Sequence, residues 1–366
     1  MNHLKILKQF SVGIFTWGLG FLVLSPQALS QGCMTVTDHG LSLNAQGDGY
    51  LQQGEWLAGV SYRWGRADDV FVGNKQIDAS GGWDYREIHF LDLSATYMAT
   101  KRLSFSVTFP FKYAEERDAV YHDFVNFRTM SAGGLGDIRL VSRVWLLDPV
   151  KQLENGQTQQ NISLGLGLQL PTGDYEATDI SHRETGPVVR PVHPALQPGS
   201  GGWGVVLEME AFREVFKNAV AYVSGSYLIS PRELNDVQIT YADRPIAAAV
   251  EDGILQSVPD SYVGRVGLSY TVWPSQGLAI SLGGRIEGMP VRDMIGGSEG
   301  YRPAGFAISI EPGLTWTRGL NTFNVSVPVA IERHRERNIP NLRSGTAYPA
   351  AFPDFMILAG YSRRFH

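Results

Sequence analysis

Between Leu91 and Lys112 the chain alternates between two chemistries, residue by residue. Leu103, Phe105, Val107, Phe109 and Phe111 interleave with Ser104, Ser106, Thr108, Pro110 and Lys112. Just before them, Leu91, Leu93, Ala95 and Tyr97 interleave with Asp92, Ser94 and Thr96, and the polar turn Thr100-Lys101-Arg102 joins the two runs. Successive side chains of a strand point to opposite faces, so this period of two predicts a hairpin whose faces meet unlike surroundings. Two folds satisfy it. In a soluble sandwich the apolar face turns inward. In a closed barrel set in lipid it turns outward, and the Ser/Thr face lines a lumen.

The rest of the chain decides between them. The same alternation recurs at Trp56–Trp64, Gly136–Leu146, Ile162–Leu170, Trp203–Phe212, Ala219–Ile229, Tyr262–Val272, Leu278–Glu287, Phe306–Trp316, Phe323–Glu332 and Phe355–Phe365. With the two halves of the hairpin that makes twelve strands, each near the ~9–11 residues that a tilted membrane strand needs. The cleanest is the fifth, where Ile162, Leu164, Leu166, Leu168 and Leu170 oppose Ser163, Gly165, Gly167 and Gln169. Long connections follow the odd strands and shorter ones the even strands. That is the arrangement of an up-and-down antiparallel outer-membrane barrel with both termini in the periplasm. Trp56, Trp64, Trp203, Trp273, Trp316, Tyr361 and Phe365 stand at strand ends, where interfacial girdles form. The last strand resembles the C-terminal signal read by the barrel-assembly machinery, except that His366 follows Phe365.

The start of the chain agrees with export. Lys5 and Lys8 precede an apolar stretch from Phe10 to Leu24, and Ala28-Leu29-Ser30 sets small residues before a cut ahead of Gln31. A lipoprotein signal ending at Cys33 fits less well, because Leu29 stands one place too far from it. The expected organisation is a signal peptide over 1–30, a periplasmic lead-in over 31–55, and a barrel over 56–366. After Leu24 no apolar run approaches the ~20 residues of a membrane helix. Cys33 is the single cysteine, which excludes an intramolecular disulfide framework. A net charge of −5 with intermixed signs offers no basic face for nucleic acid.

In this register the inward cations are Arg63, Lys112, Arg139, Arg143, Arg265 and Arg285, with Arg364 near the terminus. The inward acids are Asp92, Asp137, Glu208, Glu210, Glu287, Glu311 and Glu332. These are the candidate pore-lining residues. A charge-selective pore carries one sign in excess near its constriction. Balanced signs favour cross-strand ion pairs that brace the wall; the sharper alternative is a polar eyelet of Arg285, Glu287, Asp137, Arg139 and Glu311.

Three motifs carry a family resemblance. The first is Leu93-Ser94-Ala95-Thr96-Tyr97 running into Lys101-Arg102-Leu103-Ser104-Phe105 and then Phe109-Pro110-Phe111. The second is Gly134-Leu135-Gly136-Asp137-Ile138-Arg139-Leu140. The third is Leu170-Pro171-Thr172-Gly173-Asp174, followed by Gln197-Pro198-Gly199-Ser200-Gly201-Gly202-Trp203. Together they resemble the outer-membrane barrel family labelled "MetA pathway of phenol degradation", whose wider kin are like the fatty-acid and aromatic-hydrocarbon channels. The resemblance is clearest from Leu91 to Trp203. It implies an outer-membrane location in a Gram-negative bacterium and passage of small solutes, hydrophobic or aromatic compounds among them. It carries over no binding residues, and a structural role for Gly134, Gly136 and Asp137 is favoured.

The expected partners are outer-membrane lipid and lipopolysaccharide, the assembly machinery and a small-molecule solute, with no cofactor. Two other classes compete with a channel. A surface-loop adhesion or structural protein would work through the long connections. A lipid-modifying barrel enzyme would need a Ser/His pair on the lipid-facing rim, and His89 is the one rim histidine, without a recognisable serine partner. His182 and His193 share a loop with Asp179 and Glu184, but no fixed spacing marks a metal site.

Overall fold

The computed structural model describes residues 51–77, 83–119, 122–123, 125–148, 160–238, 255–345 and 350–366. The expected signal peptide and most of the lead-in lie outside these residues. In chain order the strands are β1 (Trp56–Ala67), β2 (Asp69–Val72), β3 (Lys75–Ile77), β4 (Trp83–Met98), β5 (Leu103–Asp118), β6 (Arg128–Leu135) and β7 (Arg139–Trp145). Then come β8 (Gln160–Gln169), β9 (Thr178–Arg183), β10 (Gly186–Pro191), β11 (Gly204–Phe216), β12 (Ala219–Ile229), β13 (Leu234–Gln238) and β14 (Leu255–Ser257). The last are β15 (Ser261–Trp273), β16 (Leu278–Met289), β17 (Gly305–Arg318), β18 (Asn321–Ser326), β19 (Val329–Arg335), helix α1 (Ile339–Ser344), β20 (Ala350–Phe352) and β21 (Met356–Phe365).

Twelve staves close on themselves. β1, β4, β5, β6 with β7, β8, β11, β12, β15, β16, β17, β18 with β19, and β21 pair with their neighbours, and β1 meets β21 to complete the ring. Every ladder in this ring is antiparallel. Closure leaves no edge with unpaired N–H and C=O groups, which lipid would not tolerate. The apolar face is the outer one. Leu166 is 61% exposed and Leu282 60% exposed, whereas a sandwich would bury both. Phe105, Phe109 and Phe111 are also exposed. The fold is a transmembrane barrel. Trp56 lies opposite Phe365 at the rim that carries the short turns, so both chain ends leave from the periplasmic side.

Two staves are interrupted, and each break lies beside a proline. β6 stops at Leu135 opposite Phe111, and β7 resumes at Arg139 opposite Thr108. Pro110 sits in the gap with no N–H to give, and its carbonyl accepts from Gly136 N at 2.7 Å. Likewise β18 ends and β19 begins around Val327-Pro328, facing Pro312. The second break has a consequence for register. Ala330 opposes Ser309 while Glu332 opposes Ile308, so Ile331 is a bulged extra residue. One inserted residue moves everything beyond it to the other face. Glu332 therefore stands on the outer face beside Ile308 and is exposed, which corrects its expected place in the lumen.

At the outer end the long connections fold over the mouth. β2 pairs with both β3 and β20, tying the first loop to the last. The loop after β8 sends out the β9–β10 hairpin and then turns back inward from Val192 to Gly202. Strands β13 and β14 form their own ladder, and Gln256 bridges to Tyr301 in the following loop.

Candidate functional site

The lumen is filled in three layers. At the periplasmic end Met98, Trp145, Phe212 and Val220 form a buried apolar cluster, joined by Tyr222 and by Leu51 from the lead-in. The backbone of the lead-in is held there by Gly54 N donating to Met98 O at 2.8 Å.

The middle layer is charged. Arg265 forms a two-point bond to Glu311 at 2.7 and 3.0 Å, and Arg285 reaches Glu287 at 2.9 Å and Glu311 at 3.9 Å. Across the barrel Arg143 pairs with Glu208 and lies 3.8 Å from Glu210. Arg63 stacks 4.3 Å above the Phe90 ring and feels the charges of Asp92 and Glu287. These groups come from alternate positions of neighbouring strands, so the period of two delivers them to one level. Arg285 and Glu311 are each 2% exposed. Ions so far from water are held only by close pairing with opposite charge and good hydrogen bonds.

Above this layer the loop after β8 is fastened into the barrel by a clasp, and the second and third resemblance motifs build it. Asp137, in the gap between β6 and β7, is the hub. Its carboxylate accepts from Gly173 N at 3.0 Å, Ser200 N at 2.8 Å, Ser200 Oγ at 2.7 Å and Gln169 Nε2 at 3.2 Å. Thr172 Oγ1 donates to Gly136 O at 2.8 Å and accepts from Ile138 N at 2.9 Å. Gly173 and Gly199 touch backbone to backbone. A Cβ on Gly173 would come within 2.6 Å of Gly199 Cα, so no side chain fits there. Lys112 adds a second fastening, donating to Ala195 O at 2.7 Å and Gln197 O at 2.8 Å.

Higher still, Arg86 bonds Glu116 at 2.6 Å and approaches His193 Nδ1 at 3.1 Å, while Ala195 N donates to the same nitrogen at 3.0 Å. Two donors on Nδ1 make it the acceptor of a neutral ring, with Nε2 turned to the Tyr301 hydroxyl at 3.4 Å. Burial, then the charges of Arg86, Arg335 and Lys112, hold His193 well below the ordinary histidine range. Glu116 lies 3.9 Å from the ring, but Arg86 is closer to both and cancels it. Val192 and Leu196 of the same loop pack on Ile88, Phe90, Met130, Tyr301 and Met356.

Between the inward loop and the charged layer lies a cavity of about 130 Å³. Phe90, Leu228, Met289, Tyr301 and several prolines give it apolar walls. Lys112, Arg139, Gln169, Ser200 and Gln256 supply polar ones. Gln256 is 2% exposed; its Oε1 accepts from Asn235 at 3.4 Å, and its Nε2 meets no acceptor among the described residues.

The structure thus divides the sequence-predicted residues among distinct places. Arg63, Asp92, Arg143, Glu208, Glu210, Arg265, Arg285, Glu287 and Glu311 face the lumen in the charged layer. Lys112, Asp137 and Arg139 line the cavity above it, and Glu332 faces out. The proposed eyelet is split: Arg285, Glu287 and Glu311 meet, while Asp137 serves the clasp and Arg139 bonds Gln169 at 3.0 Å. His89 does stand on the outer rim, but its ring nitrogens face Tyr62 at 2.7 Å and Glu87 at 3.3 Å rather than a serine. His182 and His193 are apart, the first beside the His122 ring and the second inside the barrel. Asp179 is engaged by Ser131 N at 2.8 Å. Sequence reasoning missed Gln256, Tyr301 and the loop prolines. They lie in long connections without periodicity, where no sequence pattern marks which segments meet.

No family model matches the chain, and no curated protein matches it. The MetA name therefore rests on the motifs alone. Among solved structures the chain is similar to an outer membrane channel from Pseudomonas putida F1, at 14% identity and a TM-score of 0.55, over 86% of this chain and 97% of that one. At a TM-score of 0.40 it is also similar to the P. putida toluene transporter TodX, with 9% identity over 86% of this chain and 91% of that one. The translocator domain of the autotransporter NalP from Neisseria meningitidis scores the same 0.40, at 12% identity over 86% and 90%. Such unlike proteins at one score carry no functional argument. What the likeness to the P. putida F1 channel shows is the fold.

Proposed function

We propose that the chain is an outer-membrane channel for small solutes, with compounds bearing an apolar or aromatic body among them. The observation that carries this reading is the roofed cavity. It lies in the lumen between a loop that caps the mouth and a layer of charges that fills the middle, where a solute crossing from outside would pause. The similarity in fold to the P. putida F1 channel and the phenol-family motifs support the same direction. Passage through this barrel requires the inward loop and the charged layer to move, so the expected conductance is small and intermittent.

The test is single-channel recording of the refolded, heat-modifiable barrel in a planar bilayer. Discrete steps that lengthen in Asp137→Ala, where the clasp is cut, support the channel. Silence from folded wild type and folded D137A alike sinks it, and an adhesive role for the loops then becomes the better reading.

A further inference from the structure

The cavity wall holds a buried donor with nothing to donate to. Gln256 lines the cavity and is buried, and its Nε2 has no acceptor among the described residues. Its neighbour fixes which end of the amide is left over. Asn235 Oδ1 accepts from Val237 N at 3.1 Å, so Asn235 Nδ2 is the end that faces Ser200 O at 3.3 Å and Gln256 Oε1 at 3.4 Å. Gln256 therefore turns its oxygen to Asn235, and its N–H groups remain. The backbone around it is pinned, with Tyr301 N donating to Leu255 O at 2.7 Å and Ser257 N to Tyr301 O at 3.0 Å. A buried amide N–H without an acceptor is unfavourable until a ligand or a water supplies one.

The charged members of the lining are engaged with the protein itself. Asp137 accepts four hydrogen bonds from the clasp. Lys112 donates to two loop carbonyls, and Arg139 donates to Gln169 and lies in the field of Asp92, Glu208 and Asp137. An ion entering here would give up its water for groups that already have partners, a loss that a neutral solute avoids. The rest of the wall is apolar and limits size. A dry engineered cavity of ~150 Å³ holds one benzene ring, so about 130 Å³ suits a single ring. From this geometry, and resting on the channel reading above, we infer that the cavity selects a neutral one-ring compound carrying a hydrogen-bond acceptor, which Gln256 recognises. Phe90, Leu228, Met289 and Tyr301 hold the ring. A ring without an acceptor leaves the amide facing carbon, and a ring that only donates meets another donor.

The probes are pyridine and benzene, rings of equal size and both uncharged at pH 7.5, of which only pyridine accepts a hydrogen bond in the ring plane. Calorimetry on the detergent-solubilised full-length barrel gives both dissociation constants, in wild type and in Gln256→Met. The benzene-to-pyridine ratio of those constants is expected to fall about tenfold in Q256M. Partition into detergent is common to the two proteins and cancels. An unchanged ratio in folded Q256M overturns the inference and leaves a water as the partner of the amide. Because Q256M also removes an acceptor from Asn235, the nitrogen-15 signal of labelled pyridine is recorded on wild type as well. A bound signal displaced from its position in hexane, as a hydrogen bond requires, supports the inference. A bound signal at the hexane position overturns it, as does failure of wild type to bind either ring. Conductance of the same preparation in a planar bilayer tests the channel separately. Discrete steps without an acceptor preference sink the inference alone, and silence of wild type and D137A with rings bound sinks the channel reading alone.

Discussion

The upper two of the three levels that fill the lumen are built by different means. The charged middle layer is made by the wall. Arg265, Arg285, Glu287 and Glu311 come from adjacent staves β15 to β17, and strand register alone brings them together. The clasp and cavity above are made by loops. Asp137 bonds groups 36 and 63 residues away, at Gly173 and Ser200, and Lys112 bonds carbonyls 83 and 85 residues on. The middle layer is tied to the stability of the barrel, because moving any member strands a buried charge. The upper level is tied to the position of one loop and can change while the barrel stands. The arrangement joins a lasting wall to a part that can move.

Removing one cation from the wall layer should give the largest effect. Arg285→Met leaves Glu287 and Glu311 short of a partner in a buried site, which costs about 3–5 kcal/mol. Thermal unfolding of the detergent-solubilised barrel, followed by the heat-modifiability shift, measures it. Wild-type stability in R285M would mean that the layer is hydrated and that the contrast between levels is false.

Cutting the clasp should be milder and local. Asp137→Ala strands the donors of Gly173, Ser200 and Gln169, on the order of 2–3 kcal/mol against docking of the loop. Limited proteolysis should cut the 176–200 segment sooner, with the unfolding temperature of the barrel little changed. A matching fall in barrel stability would erase the distinction between the two levels.

Acid should loosen the upper level alone. His193 is buried and neutral, with its pKa held well below the usual value, so the undocked loop binds more protons. Docking is then at full strength above the ordinary histidine pKa of about 6.5 and weakens as pH falls below it. Proteolysis of the loop from pH 7.5 to pH 5 should accelerate in wild type and stay level in His193→Gln. Glu116, Arg86, Lys112, Arg335 and Tyr301 surround the ring and set the local field.

The smallest effect belongs to the loop surface. Arg343 pairs with Glu299 while half exposed to water. Arg343→Ala should change unfolding by at most about 0.5 kcal/mol, since exposed pairs are screened and mobile. A larger loss would mean that the outer loops are coupled to the wall.

Much of the wall was legible in advance. The alternation of Phe105, Phe109 and Phe111 with Ser104, Thr108 and Lys112 set the faces, and the same reading placed the lumen charges from Arg63 to Glu311. It misplaced Glu332, because nothing in Val329-Ala330-Ile331 announces a bulge; Pro328 and Pro312 break the pairing only when they come side by side. The β9–β10 hairpin and the extension of β5 to Asp118 were read as loops, since their polar residues hide a short strand pattern. Gly134-Leu135-Gly136-Asp137, Leu170-Pro171-Thr172-Gly173-Asp174 and Gln197-Pro198-Gly199-Ser200 stood out as resemblance motifs, with a structural role expected for Gly134, Gly136 and Asp137, but not as three parts of one joint.

By itself the sequence determined the staves, their facing and the balance of charge within them. A period of two is a local property, and lipid and lumen sort its two faces without reference to distant residues. Only the tertiary structure decided which loop turns inward, which carboxylate fastens it, and that Lys112, Arg139 and Gln256 meet around one cavity. Those contacts join residues that lie far apart along the chain. They form only after the barrel has closed and brought the loops to a common rim, so no local pattern encodes them.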